Sequence, residues 1–225
     1  MGLTIHWDLK FKGSDEEAFN KMEKVREQLL SILEGFKFID KVKFFNPTLD
    51  YNKVKDEGLS WSLIQCGKTM YEVNGKLQSN YPKERDGMGL KMITLSPSKT
   101  ILLNLWAGEG CEPTNLSLNI YPGMKENIWI SNSFTKTQYA KDFVKCHLLV
   151  IHALDVCKEV GILKSVYDEG NFWKTRDLKV LAKEINLSTS FIKAISDSLK
   201  KGLDGKSGLK IKSEIDDSQN YMEVK

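Results

Sequence analysis

Leu3-Thr4-Ile5-His6-Trp7-Asp8-Leu9-Lys10-Phe11-Lys12 is the stretch whose reading decides the fold. Leu3, Ile5, Trp7, Leu9 and Phe11 alternate strictly with Thr4, His6, Asp8, Lys10 and Lys12, the period of two that marks a half-buried β-strand. Gly13 breaks the pattern. Ser14 and Glu17 then stand at capping-box spacing, where hydroxyl and carboxylate each satisfy an orphan helix donor. A helix is predicted from there to about Leu33, with Met22, Val25, Leu29, Ile32, Leu33 and Phe36 on one face and Gly35 suited to its C-terminal cap. A second strand over residues 42–45 ends at Asn46-Pro47.

Further along, segments near 59–66, 69–74 and 91–95 read as strands, whereas 76–90 is too rich in Gly, Pro and charge to assign. Residues 101–107 and 116–121 are stronger strands flanking a Gly-rich loop, a hairpin pattern. Another strand, 128–134, leads into a helix over about 139–160. At 100° per residue, Lys141, Lys145, His152, Asp155 and Glu159 gather in one narrow polar stripe, with Leu148 its apolar exception. Phe143, Cys146, His147, Val150, Ile151, Leu154 and Cys157 fall outside it, so this helix should lie mostly buried across a sheet. Gly161 ends it. Val166 and Tyr167 lead into a tight turn at Asp168-Glu169-Gly170-Asn171. A last helical region starts near Asp177, with Leu178, Leu181, Ile185, Ile192, Ile195 and Leu199 inward. The sum is an α+β fold: a mainly antiparallel sheet, in one piece or two, with two major helices packed on one face and a C-terminal helical region. Residues 1–203 are read as one domain and 204–225 as a polar tail with the composition of a partly disordered segment.

Composition bounds the function classes. The 225 residues are 41% hydrophobic and 28% charged, ordinary for a globular chain. No apolar run approaches the roughly 20 residues of a membrane helix, so no membrane partner is expected. The opening residues lack the basic and apolar regions of a signal peptide, and His6 stands where myristoylation requires Ser or Thr. Cys66, Cys111, Cys146 and Cys157 form no CxxC pair, which favours a reducing compartment and a cytoplasmic location. A net charge of +3, from 33 basic and 30 acidic residues mixed throughout, gives no concentrated basic stripe for nucleic acid.

The motifs that carry chemistry are few. Gly67-Lys68-Thr69 is no phosphate loop, because Ser62 occupies the position of the first glycine. Gly108-Glu109-Gly110-Cys111-Glu112-Pro113 offers a thiol between two carboxylates. Negative neighbours raise a thiol pKa, so a structural loop is favoured over a nucleophile. His147, among apolar positions, reads as a buried histidine bonded to a neighbouring strand. His152 and Asp155 read as a solvent-face pair. Three scattered histidines make no zinc signature, and no metal site is expected. Asp168 and Glu169 could share acid–base work, but adjacent turn residues ordinarily point apart into water. Residues 181–195 have helix-turn-helix spacing, although Asn186 replaces the usual Gly and no Arg or Gln is present to read bases.

The strings GEGCEPTN (108–115), KTQYA (136–140), CHL (146–148) and DEGNFWKTRD (168–177), with the GLTIHW opening, resemble a group of uncharacterised prokaryotic proteins over most of the chain. That resemblance implies no catalytic role; it implies that these segments converge in the fold. The expected site lies where the 108–113 loop meets 136–139 and 168–176, drawing on Glu109, Cys111, Glu112, Lys136, Tyr139, His147, Asp168, Glu169, Trp173 and Arg176. There Lys136 and Arg176 would hold an anionic group while Glu112 or Glu169 exchanges a proton. The sequence names no cofactor. The leading expectation is a protein that binds a small molecule or a protein partner. DNA binding through 177–201 and an enzyme built on Cys111 or the paired acids are the alternatives. Trp7 and Trp106 are expected in the core, with Trp61 and Trp173 left open.

Overall fold

The computed structural model describes residues 3–32, 42–45, 62, 65–73, 76–78 and 91–186. In chain order its elements are β1 (Thr4–Lys12), α1 (Asp15–Ile32), β2 (Lys43–Phe45), β3 (Lys68–Val73), β4 (Lys76–Gln78), β5 (Lys91–Leu95), β6 (Lys99–Leu105), β7 (Thr114–Ile120), β8 (Ile128–Lys136), α2 (Phe143–Val160), β9 (Leu163–Asp168) and α3 (Phe172–Thr175). A six-stranded sheet runs β2-β6-β7-β8-β1-β9, and a three-stranded sheet runs β4-β3-β5. Every described strand pair is antiparallel. The fold is α+β.

β1, next to the edge strand β9 in the six-stranded order, has one wholly apolar face from its alternation. It pairs with β8 from Thr4↔Lys136 to Lys12↔Ile128 and with β9 on its other edge. Ile5, Trp7 and Leu9 are buried there together with Trp129 of β8. Burying each such side chain stabilises the fold by roughly 2–3 kcal/mol. α1 and α2 cover this face. α1 brings Ala18, Met22, Val25 and Leu29, and α2 brings Leu149, Val150, Ala153 and Leu154 into the same cluster. The capping box forms as its spacing requires: the Ser14 N–H donates to the Glu17 carboxylate at 2.7 Å and the Glu17 N–H to Ser14 Oγ at 3.2 Å. Gly161, at φ 82, ends α2 by donating its N–H to the Cys157 and Lys158 carbonyls.

Several local expectations need correction. Ser62 and Gln65 are helical and Cys66 lies in a turn, where 59–66 was read as a strand. The polar groups of this segment bond to side chains of the large sheet rather than to a ladder: Asn104 donates to Ser62 Oγ at 2.6 Å, and the Tyr121 hydroxyl donates to the Cys66 carbonyl at 2.7 Å. β4 falls in the stretch left unassigned. α2 begins at Phe143, because Asp142 caps it by accepting the Lys145 N–H. β9 forms where only a run into a turn was read, and that turn leads to the short α3. Trp106 is 38% exposed: β6 ends at Leu105, so the strand period no longer aims the indole inward.

Residues 178–186 are helical, with Leu181 and Ile185 buried. Gly35, the Asn46-Pro47 end of the second strand, Trp61, the 187–201 part of the helix-turn-helix reading and the 204–225 tail lie outside the described residues. No described helix is long and apolar enough to cross a membrane.

Candidate functional site

The 108–113 loop and the 136–139 segment are joined by direct hydrogen bonds, and 168–176 reaches them through Thr4 and His147. The Glu112 N–H donates to the Lys136 carbonyl at 3.3 Å, and the Lys136 N–H returns to the Glu112 carboxylate at 3.2 Å. The Lys141 N–H donates to the Glu109 carbonyl at 2.9 Å. The Glu169 N–H donates to the Thr4 carbonyl, while the Thr4 N–H donates to Glu169 Oε2 at 2.8 Å. Within this knot Thr137 Oγ1 lies 3.0 Å from His147 Nδ1, and His147 Nε2 lies 3.4 Å from Asp168 Oδ1. Asp168 also accepts the Gly170 and Trp173 N–H groups, each at 2.8 Å.

Hydroxyl, imidazole and carboxylate thus stand in a row, yet the residues are sealed, with Thr137 and His147 at 0% exposure and Asp168 at 5%. The row ties α2 to the ends of β8 and β9. Burial pushes the Asp168 carboxyl up, but His147 and the two backbone amides together outweigh it and hold the group below the usual carboxylate range. Asp168 therefore does not point into water, as a turn residue was expected to do; it is the buried anchor of the turn.

The cations expected at this site are already engaged. Arg176 makes two 2.7 Å bonds to Asp155 and stacks over Trp173 at 4.5 Å. Asp155 accordingly serves Arg176, not His152. Lys136 sits 3.9 Å from Glu112, and Lys141 sits 3.7 Å from Glu109. Tyr139 is 66% exposed, and Trp173 packs against the rim of the core. Cys111 turns inward, away from the flanking acids, to stand beside Cys146.

A second arrangement, unseen in the sequence, lies on the sheet face opposite the helices. Ser62, Gln65 and Cys66 cover β6 and β7 there: Asn115 donates to the Gln65 side-chain oxygen, alongside the Asn104–Ser62 and Tyr121–Cys66 bonds. Beyond it, β3 overhangs the β8–β1 floor and encloses a cleft of about 740 Å³. Among the described residues, Lys10, Lys68 and Lys164 line it against one acid, Asp8. Asp8 is engaged by Asn132 at 2.6 Å, Ser165 at 2.6 Å and Lys164 at 3.8 Å. Burial raises its pKa, but those three neighbours outweigh that effect and keep it low. The Lys68 ammonium lies 5.7 Å from the Tyr121 ring. Phe134 lines the cleft and begins a row of rings, 5.7 Å from His6, which lies 6.0 Å from Tyr167. Phe134 is 40% and Tyr167 60% exposed.

The residues of this cleft were visible singly, as the polar face of β1 and as Gly67-Lys68-Thr69, but only the folding of 62–71 over the sheet makes them a site. Lys68 and Thr69 open a strand, not the helix a phosphate loop requires. Among the described residues no group of three His, Cys, Asp or Glu is placed to hold a metal.

The geometry defines a class: an antiparallel α+β protein with a ligand-sized, lysine-lined cleft on the face of its main sheet opposite α1 and α2. Compared with protein-family models, with curated proteins and with solved structures, the chain finds no match.

Proposed function

We propose that the protein binds a small anionic molecule carrying a planar ring, in the cleft between β3 and the β8–β1 floor. The observation that carries this reading is the excess of three lysines over one carboxylate in a concavity of about 740 Å³, within the 300–1,000 Å³ typical of small-molecule sites. Lys164 and two hydrogen bonds already answer Asp8, which leaves Lys10 and Lys68 to face a ligand. Lysine ammonium groups act as compact point charges suited to phosphate or carboxylate. Phe134 supplies a face on which a ring can stack. With four free thiols among the described residues, the cytoplasm is the compartment that suits the chain.

The test is a thermal-shift and calorimetry panel of inorganic phosphate, nucleoside monophosphates and aromatic carboxylates at low salt. A ring-bearing anion should bind saturably. Lys68→Ala should weaken it about tenfold, the equivalent of about 1.4 kcal/mol, and leave the melting temperature of the ligand-free protein unchanged. Binding should also weaken as salt rises, because the charges are partly solvated. A panel with no binder, or a binder indifferent to Lys10→Ala and Lys68→Ala, overturns the reading.

A further inference from the structure

We propose that Cys111 and Cys146 form a reversibly oxidisable dithiol whose oxidant is a hydroperoxide. The two thiols come from elements 35 residues apart, the β6–β7 loop and the first turn of α2, yet both residues lie against Gly108. The loop is shaped around the contact. Gly108 and Gly110 hold φ values of 150° and 80°, and the Cys111 N–H folds back to the Gly108 carbonyl at 3.1 Å. A Cβ on Gly108 would stand 2.7 Å from Cys146 Sγ, so glycine is what lets the loop close over the thiol. Cys146 Sγ donates to the Ala107 carbonyl at 3.0 Å, and Cys111 Sγ lies 3.5 Å from the Lys136 carbonyl.

The two positions are chemically unequal. Cys146 sits in the N-terminal turn of α2, beside Lys145, where the helix dipole and a cation favour a thiolate. The hydrogen bond from Cys111 is the largest influence drawing its pKa below the ordinary thiol value; burial and Asp142 oppose it, and Lys145 assists. Cys111 is pushed well above that value, first by the same contact and then by burial. The shared contact thus makes Cys146 the more acidic of the two thiols.

The remaining described cysteines lack such a partner. Burial pushes Cys66 up to about 11 and Cys157 up to about 12, and Cys157 is fully enclosed. Cys111 and Cys146 are only 7% and 2% exposed, so their oxidant must be small.

The chemistry balances in two steps. The Cys146 thiolate attacks the distal oxygen of ROOH; the O–O bond breaks, an S–O bond forms, and the departing alkoxide takes a proton to leave as ROH. Cys146 is then a sulfenic acid. The Cys111 sulfur attacks the Cys146 sulfur, the S–O bond breaks, and hydroxide leaves with the Cys111 proton as water. The sum is two thiols and ROOH giving one disulfide, ROH and water. Reduction by a small thiol reverses it.

The full chain should be treated with stoichiometric hydrogen peroxide, denatured, alkylated and digested. The expected result is that two of the four thiols escape alkylation, a disulfide-linked peptide pair joins Cys111 to Cys146, and dithiothreitol restores both. In Cys111→Ser the sulfenic acid on Cys146 should persist long enough for dimedone to trap it. Should all four thiols stay alkylatable, or Cys146 run on to sulfinic acid in the wild type while Cys111 remains a free thiol, the proposal is overturned. The wild-type measurement decides the matter even if the serine variant fails to fold.

Discussion

Replacing Asp168 with alanine should be among the most damaging single changes in the protein, and the structure sets its size. The carboxylate is 5% exposed and accepts two backbone N–H groups at 2.8 Å, from Gly170 and Trp173, with His147 Nε2 3.4 Å away. Hydrogen bonds to a charged acceptor are each worth about 1.5–3 kcal/mol, and truncation strands donors that water cannot readily reach. A loss of about 3–5 kcal/mol follows, a large part of the 5–15 kcal/mol of a typical domain. Urea unfolding at neutral pH, followed by fluorescence, measures it.

The pH dependence has a definite sign. The folded-state pKa of Asp168 lies below its ordinary value, so its stabilisation is full above about pH 4 and fades as pH falls through the lower folded value. The gap between wild type and Asp168→Ala should therefore narrow in acid. A loss under about 1 kcal/mol, or a gap that widens as pH drops below 4, refutes the reasoning.

Gly110→Ala should cost about 2–4 kcal/mol, since φ is 80° and a Cβ would collide with the Tyr139 carbonyl. Gly123→Ala, at φ 82 with nothing within 4 Å, should cost only about 1 kcal/mol; thermal unfolding of the two variants separates steric from backbone strain. Arg176→Ala should cost about 1 kcal/mol or less despite its two short bonds, because the Arg176 and Asp155 side chains are 42% and 30% exposed. Peroxide-treated protein should resist urea more than reduced protein by up to about 4 kcal/mol, the chain-entropy value for a loop of this length. Equal midpoints for the two forms would count against the cross-link.

Where one element's own residues specify it, the fold was legible. The alternation of residues 3–12, the Ser14–Glu17 box and the polar stripe of α2 are local patterns, and each appears in the structure, with Lys141 of the stripe falling before the helix begins at Phe143. β9 escaped because its inward positions are few and its register follows from lying beside β1. The helical placement of Ser62 and Gln65 escaped because the partners of this stretch, Tyr121 and Asn104, lie far away in sequence. The cleft is non-local for the same reason: neither Lys68 nor Lys164 says on its own that both will border one space. Cys111 and Cys146 were each noticed, but one was read against its sequence neighbours and the other against its helix. Only the closure of the β6–β7 loop over α2 puts the two sulfurs side by side.

The long-range pairing of β1 also sets the order in which the molecule can be built. Its Asp8 side chain meets Asn132 and Ser165, partners 124 and 157 residues further along the chain. On a ribosome the strand emerges with one apolar face and no neighbour on either edge, and it stays so until β8 and then β9 follow. With synthesis at about 5–20 residues per second, that interval lasts on the order of ten seconds. Contacts of such long range also make for slow refolding in the test tube. β1 therefore waits without its sheet neighbours through most of the chain's synthesis.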